Sequence, residues 1–264
     1  MKNTLKYILA AAIVMSAAEA FAWNRQGHET IAVLAAERLT PAAKAEAERI
    51  LGGSLKDNAM WLDDIRKEAR HTAGWHYVSL DADLKSAPKS EHDAVVQIER
   101  AADVLRNRAS HSDSTVVAAL RTMIHLVGDM HSIAHVRISG IAASQRNFNF
   151  LLSNGHTGKK KAETKCSWKK YWDGVVINRH GAFSPEMYAE DVAVCHGAEA
   201  DALAAGTPRD WAYDMGRECK PLYEWVKEDY FMTREQDIRL EPILDRCLAR
   251  ASYRLAALLN ECLK

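Results

Sequence analysis

The sequence predicts an all-α chain folded as a single domain. Apolar residues recur at helical spacing along most of its length, no stretch alternates apolar and polar residues at any length, and no convincing linker divides it. At 264 residues the chain is long enough for one large domain. Lys and Arg number 35, and so do Asp and Glu, so no global positive field marks it as a binder of polyanions. That balance leaves room for a protein whose bound cations supply the charge.

The chain opens as an export signal. Lys2 and Lys6 give a basic start, Leu9 to Ala18 a short apolar run, and Ala20-Phe21-Ala22 an A-x-A cleavage site. Residues 1–22 are therefore expected to be removed, leaving residues 23–264 as the mature domain with Trp23 first, secreted or periplasmic. The apolar run is too short to span a bilayer and no later stretch is long enough, so no membrane insertion is expected.

Helical spacing begins at Asn24, with Ile31, Leu34, Ala35 and Leu39 on one side. Thr40 and Pro41 start a second helix as N-cap and first residue, and Gly52-Gly53 ends it. Asn58 to Arg70 reads as a third, with Trp61 and Ile65 marking its buried side. Asp63 and Asp64 are adjacent and point in different directions, so one can face inward while the other is solvated. Trp75-His76-Tyr77-Val78 reads as a packed loop or short extended segment. Asp93 to Arg108 is helical again, with Val96, Ala101, Val104 and Leu105 facing in.

The organising stretch is Arg121 to Val136, RTMIHLVGDMHSIAHV, in a helix capped by Ser114 or Thr115. If it is helical to its end, His125, Asp129 and His135 lie at about 0°, 40° and −80° on one arc. Met123, Ile124, Leu126, Val127 and Ile133 make the helix apolar enough to be buried. A single buried His is ordinarily a hydrogen-bonded core residue. An Asp and three His within eleven residues point instead to a metal, because imidazole and carboxylate are good zinc ligands and burial without partners is costly. His131 lies on the flank of the arc, where it would support ligands rather than be one.

Ser139 to Ala162 reads as a long surface loop with a hairpin around Phe148 to Leu152 and a lysine run, Lys159-Lys160-Lys161. Ser167 to Ile177 is apolar and aromatic. Helices are expected over Pro185 to Leu203, Thr207 to Tyr230 and Glu241 to Leu263. The five cysteines are Cys166, Cys195, Cys219, Cys247 and Cys262. Disulfides are open to an exported chain, but an odd count leaves one thiol unpaired or paired between chains. No C-x-x-C spacing suggests a cysteine metal site.

Trp23, His28, Trp61-Leu62-Asp63, Trp75-His76-Tyr77, the His125/Asp129/His135 run and Trp172-Asp173 occur in this order, with Tyr253-Arg254-Leu255-Ala256 near the end. Together they resemble the zinc-dependent single-strand nuclease and 3′-nucleotidase family of the nuclease S-one and nuclease P-one type, which shares a fold with the zinc phospholipases C. The resemblance covers the mature chain. It implies three zinc ions: one on the Trp23 backbone, His28 and Asp129; one on Asp63, His76 and His125, bridged by Asp129; and a third on His135, a further His and Asp173. It also implies single-stranded nucleic acid and nucleotides as substrates, and Asp63 orienting the attacking water.

The chain departs from the family at Ser132-Ile133-Ala134, ahead of His135, in lacking a Gly-Gly-Asn segment after that His, and at one position of the third zinc site. Four residues before Asp173, where the family carries the further His, stands Lys169. A charged ammonium cannot ligate zinc. Three readings follow: a loop residue such as His156 completes the third site; Lys169 replaces that zinc's charge and holds phosphate; or the site is lost and the chain is a weakened or inactive relative that binds zinc or nucleotide. A zinc phospholipase C is a further alternative, against which stand the short gap from Trp23 to His28 and the Asp at position 173.

Overall fold

The computed structural model describes residues 23–85, 90–153, 163–180 and 184–264. The expected signal segment, His156 and the lysine run lie outside the described residues.

The chain is mostly helical. Asn24 caps α1 (Arg25–Glu37) through its side chain, which accepts from Gly27 N, and Thr40 caps α2 (Pro41–Leu51) on Ala43 N. Such caps satisfy an otherwise unpaired amide and each contributes about 1 kcal/mol. As expected, α2 ends at Gly52, which takes a left-handed φ of 66°.

Residues 58–70 do not form one helix. A capping box at Ser54 starts α3 (Leu55–Asn58) early, and α4 (Trp61–Asp64) follows after a break. The carbonyl of Ala59, in the break, accepts from His125 Nδ1 at 2.8 Å, and Asn58 Oδ1 accepts from Arg121. Packing against the central helix therefore outweighs local helical propensity here. After a 3₁₀ turn comes β1 (Val78–Leu80), then α5 (Ala94–Arg106). The buried side of α5 is centred on Val95, Ile98, Ala101, Ala102 and Leu105, with Val96 and Val104 only half-buried.

The central helix α6 (Asp113–Asp129) is capped by Ser112, not Ser114 or Thr115. It stops at Asp129, so the helical arc expected to include His135 does not form. His131 N bonds back to Gly128 O and Ser132 N to Asp129 O, closing the helix. A 3₁₀ turn over Ile133–His135 then leads into β2 (Val136–Ile138), which pairs in parallel with β1 through Val78↔Val136. This strand pairing draws the chain off the helix axis.

The short helix α7 (Ala143–Arg146) precedes β3 (Asn149–Ser153), so the stretch expected to turn as a hairpin around Phe148 to Leu152 is one strand, paired antiparallel with β4 (Glu163–Ser167), with Phe150 opposite Cys166. Next come α8 (Trp168–Lys170), a π turn over Tyr171–Val175, and α9 (Val176–His180). Helices α10 (Pro185–His196), α11 (Ala200–Ala204) and α12 (Pro208–Trp225) follow. Then β5 (Phe231–Met232) joins the edge of β3, and α13 (Arg234–Ile238) leads to the terminal helix α14 (Glu241–Cys262).

Helices α1, α2, α4, α5 and α14 surround α6, whose Met123, Ile124, Leu126 and Val127 are buried. Leu244, Leu248, Leu255 and Leu259 of α14 are buried as its pattern predicts. Each such side chain contributes about 1.5–3 kcal/mol of transfer free energy. All five cysteines are free thiols, so the structure contains no disulfide among them. No helix among the described residues is long and apolar enough to cross a membrane.

Candidate metal centre

Each side chain of the centre is delivered by a local feature of the fold. The last turn of α6 presents His125 and Asp129, four residues apart, on one face. His28 comes from the first turn of α1. The start of that helix is pinned by Trp23, which is fully buried and donates from Nε1 to the Gly128 carbonyl at 2.9 Å. Gly128 leaves room for the His28 ring, since a Cβ there would lie 3.0 Å from His28 Nδ1. Asp63 faces inward from α4 and is buried, whereas Asp64 is exposed and lies 3.8 Å from Arg25. His76 stands at the entrance to β1 and is buried.

These five groups converge. Asp129 lies at the middle, with Oδ1 3.2 Å from His28 Nε2 and Oδ2 2.6 Å from His76 Nδ1 and 3.3 Å from His125 Nε2. Asp63 Oδ1 is 3.8 Å from His125 Nε2 and 3.9 Å from His76 Nδ1. The His28 and His125 rings stack at 4.1 Å. His125 Nδ1 donates to Ala59 O, which turns Nε2 toward the carboxylates; metal-binding imidazoles are commonly oriented by such a bond.

Six buried polar atoms here make no hydrogen bond: His28 Nε2, both oxygens of Asp63, His76 Nε2, His125 Nε2 and Asp129 Oδ1. Each unsatisfied buried polar atom costs about 1–3 kcal/mol. Metal-ligating atoms of His28, Asp63 and His125, and of His76, His125 and Asp129, lie within 4.8 Å of one another. The residues therefore fit a pair of cations bound by N and O donors.

The electrostatics agree. Burial works against the imidazolium of His125, but Asp129, Asp63 and the Ala59 carbonyl outweigh it and hold the group up at about 9. Burial would raise Asp129, yet His125 and His76 keep it well below the usual carboxylate range. Burial and neighbouring His125 lower His28. The cluster thus retains a proton on His125 where a metal would otherwise supply the positive charge.

A second group adjoins the first. His135 Nδ1 donates to the His76 carbonyl at 2.6 Å, and its ring stacks on Tyr77 at 4.6 Å. Arg137 lies over Tyr77, 3.6 Å from the ring centroid. The β1–β2 pairing builds this stack, in which Arg137 had no signature in the sequence. His135 Nε2 is 3.7 Å from Asp173 Oδ1. Between them sits Lys169, with Nζ 2.6 Å from His135 Nε2 and 2.9 Å from Asp173 Oδ2. Burial and the ammonium of Lys169 lower His135 well below its ordinary value. Burial pushes Asp173 up, and Lys169 opposes that. Among the described residues, no third His, Cys, Asp or Glu joins His135 and Asp173 as a metal-binding group. The Asp173 carbonyl accepts from Asn24 N, tying this segment to the N-cap of α1.

His131 belongs to neither group. Its Nδ1 donates to Val127 O at 2.7 Å and its Nε2 accepts from Arg254 at 2.9 Å. The buried Arg254 also bonds Leu203 O and Asp214, so His131 joins α6 to α14 and α12.

The chain is 24% identical to Nuclease P1 of Penicillium citrinum over 186 residues, covering 64% of each chain. Identity and coverage are the same with Nuclease PA3 of a Penicillium species. The chain thus spans just under two thirds of the length of these two relatives. It is 22% identical to Endonuclease 2 of Arabidopsis thaliana, in an alignment covering 98% of this chain and 96% of that one. The sequence model of the S1/P1 nuclease family matches residues 23–264, and the chain belongs to that family.

Proposed function

We propose that this protein is an exported, zinc-dependent phosphodiesterase that cleaves single-stranded DNA and RNA and removes phosphate from 3′-nucleotides. The observation that carries the proposal is the convergence of His28, Asp63, His76, His125 and Asp129, with six of their polar atoms lacking hydrogen-bond partners in a sealed core. Membership of a nuclease family supports the phosphodiester substrate, and a family match that begins at Trp23 supports processing before that residue.

In this reading the backbone of Trp23, with His28 and Asp129, would hold one zinc ion, and Asp63, His76, His125 and Asp129 would hold another. When bound, such ions acidify water and offset the charge of a phosphate. The protein's own groups do the rest. Asp63 accepts a hydrogen bond from the attacking water and orients it toward phosphorus. Arg66 Nη1 lies 3.8 Å from Asp63 Oδ1, on the flank of that carboxylate. The bond from His125 to Ala59 O keeps its imidazole in one orientation throughout. Trp23, bonded to Gly128 O beside Asp129, and Leu62, next to Asp63 in the chain, are fully buried.

The test uses processed, zinc-loaded protein with single-stranded DNA, RNA and a 3′-nucleotide. Hydrolysis that chelator abolishes and that Asp63→Asn lowers by about 100-fold or more supports the reading, in keeping with loss of a positioned acid–base group. A fully metallated preparation that binds nucleotide without turnover refutes it in favour of a binding protein. Release of a phosphorylated headgroup from lipid, with no action on nucleic acid, refutes it in favour of a phospholipase C.

A further inference from the structure

We propose that the ammonium of Lys169 takes the place of a third metal ion, so that the protein carries two zinc ions and binds a phosphate oxygen through Lys169 beside them. This rests on the metal-centre reading above.

The surroundings of Lys169 are those of a cation site. His135 spends its Nδ1 proton on the His76 carbonyl, so its Nε2 presents a lone pair. The Asp173 carboxylate is likewise an acceptor. A buried pair of acceptors facing one another requires a donor or a cation between them. Lys169 Nζ is within hydrogen-bonding distance of both, at 2.6 and 2.9 Å.

The placement is built into the backbone. Ser167 caps the turn that carries Lys169 by accepting from Lys170 N. The π turn at Tyr171–Val175 then sets Asp173 four residues on, facing Lys169. Gly174 allows the N-cap of α1 to close on this segment, since a Cβ there would lie 3.0 Å from Asn24 Nδ2. The lysine stem reaches toward Tyr77, with Nζ 5.6 Å from the ring centroid.

Position and charge suit a phosphate. The side chains of Lys169 and Asp173 are 13% and 12% exposed, whereas those of Asp63 and Asp129 are sealed. Lys169 therefore stands at the solvent-facing edge of the cluster, where an anion arrives. A strongly hydrated point charge with rotatable donors can give a hydrogen bond to a phosphoryl oxygen. It does not add a vacant coordination position, so the metal count and the phosphate contact are separable quantities.

The experiment measures zinc per chain by elemental analysis in protein exported and processed to Trp23, with Lys169→His and Lys169→Met alongside. Inorganic phosphate binding is measured by calorimetry on the same zinc-loaded samples. The expected results are two ions in the wild type, three in Lys169→His, and two in Lys169→Met with phosphate affinity lowered about ten-fold or more, the loss of one charge-assisted hydrogen bond. Three ions in the wild type would overturn the inference while leaving the metal-centre reading intact. So would a folded Lys169→His that stays at two, or a Lys169→Met that binds phosphate as tightly as the wild type. A wild type with no bound zinc removes the metal-centre reading and the inference with it. The wild-type count stands as a test even if a variant fails to fold.

Discussion

Gly128 offers the sharpest test of how the centre is packed. It lies one residue before Asp129 in the last turn of α6, and Gly128→Ala should be favoured by helix propensity by about 1 kcal/mol. The site opposes this. The new Cβ would lie 3.0 Å from His28 Nδ1, 3.3 Å from His28 Cε1 and 3.4 Å from Ile31 Cδ1. The His28 ring is already stacked at 4.1 Å on His125, which confines its retreat. Overpacking of this kind costs about 1–3 kcal/mol. The net loss is therefore about 1 kcal/mol, a fall of about 2–4 °C in the melting temperature of chelated protein. A second effect appears with zinc. A displaced His28 weakens metal binding, and each ten-fold loss of affinity removes about 1.4 kcal/mol of zinc-induced stabilisation at fixed free zinc. Thermal unfolding with chelator and with a fixed zinc excess measures both. A variant that melts higher in chelator and gains as much from zinc as the wild type would refute the claim that Gly128 makes room for His28.

Three further outcomes follow from the same contacts. In chelated protein His125 is held up at about 9, so its contribution to stability is complete below its ordinary value of 6.5 and is lost as pH rises through about 9. Zinc must displace that proton, so calorimetry in buffers of different ionisation enthalpy should detect proton release at pH 7 and tighter binding toward pH 9; no release at pH 7 would contradict the charge assignment. Asp93 caps α5 on Val95 N at 3.0 Å and also accepts from Ser79 N at 2.7 Å, tying α5 to β1. Asp93→Ala should cost about 1–2 kcal/mol by denaturant unfolding and Asp93→Asn less; equal losses would remove the cap argument. Arg254→Met leaves the buried Nε2 of His131 without its donor, while the partly exposed Asp214 keeps Arg217, and should cost about 1–3 kcal/mol, with zinc content unchanged in the folded fraction. Lost zinc at retained stability would place His131 in the metal centre after all.

Much of the helical order was legible because its signals are local. Thr40 caps the helix it precedes, Gly52 ends α2, and the apolar stripe of α14 is buried. The pairing of His125 with Asp129 was legible for the same reason, since residues four apart share a helix face. The end of α6 was not, because β1 and β2 pair across 58 positions of chain and periodicity carries no information at that range. Nor was the break at Ala59, whose carbonyl is taken by His125 from 66 positions away.

What the sequence determined by itself is the set of groups available: three imidazoles and one carboxylate in a single apolar run, Asp63 and His76 upstream, Trp23 after an A-x-A, and Lys169 four residues before Asp173. Tertiary structure alone decided their geometry. Packing turned Asp63 inward and left Asp64 outside, brought His135 to Asp173 by way of a strand, assigned His131 to Arg254, and set the ammonium of Lys169 between two acceptors. The physical reason is that a residue's chemistry is its own, whereas its partners are chosen by burial, which acts between segments that the order of the chain holds far apart.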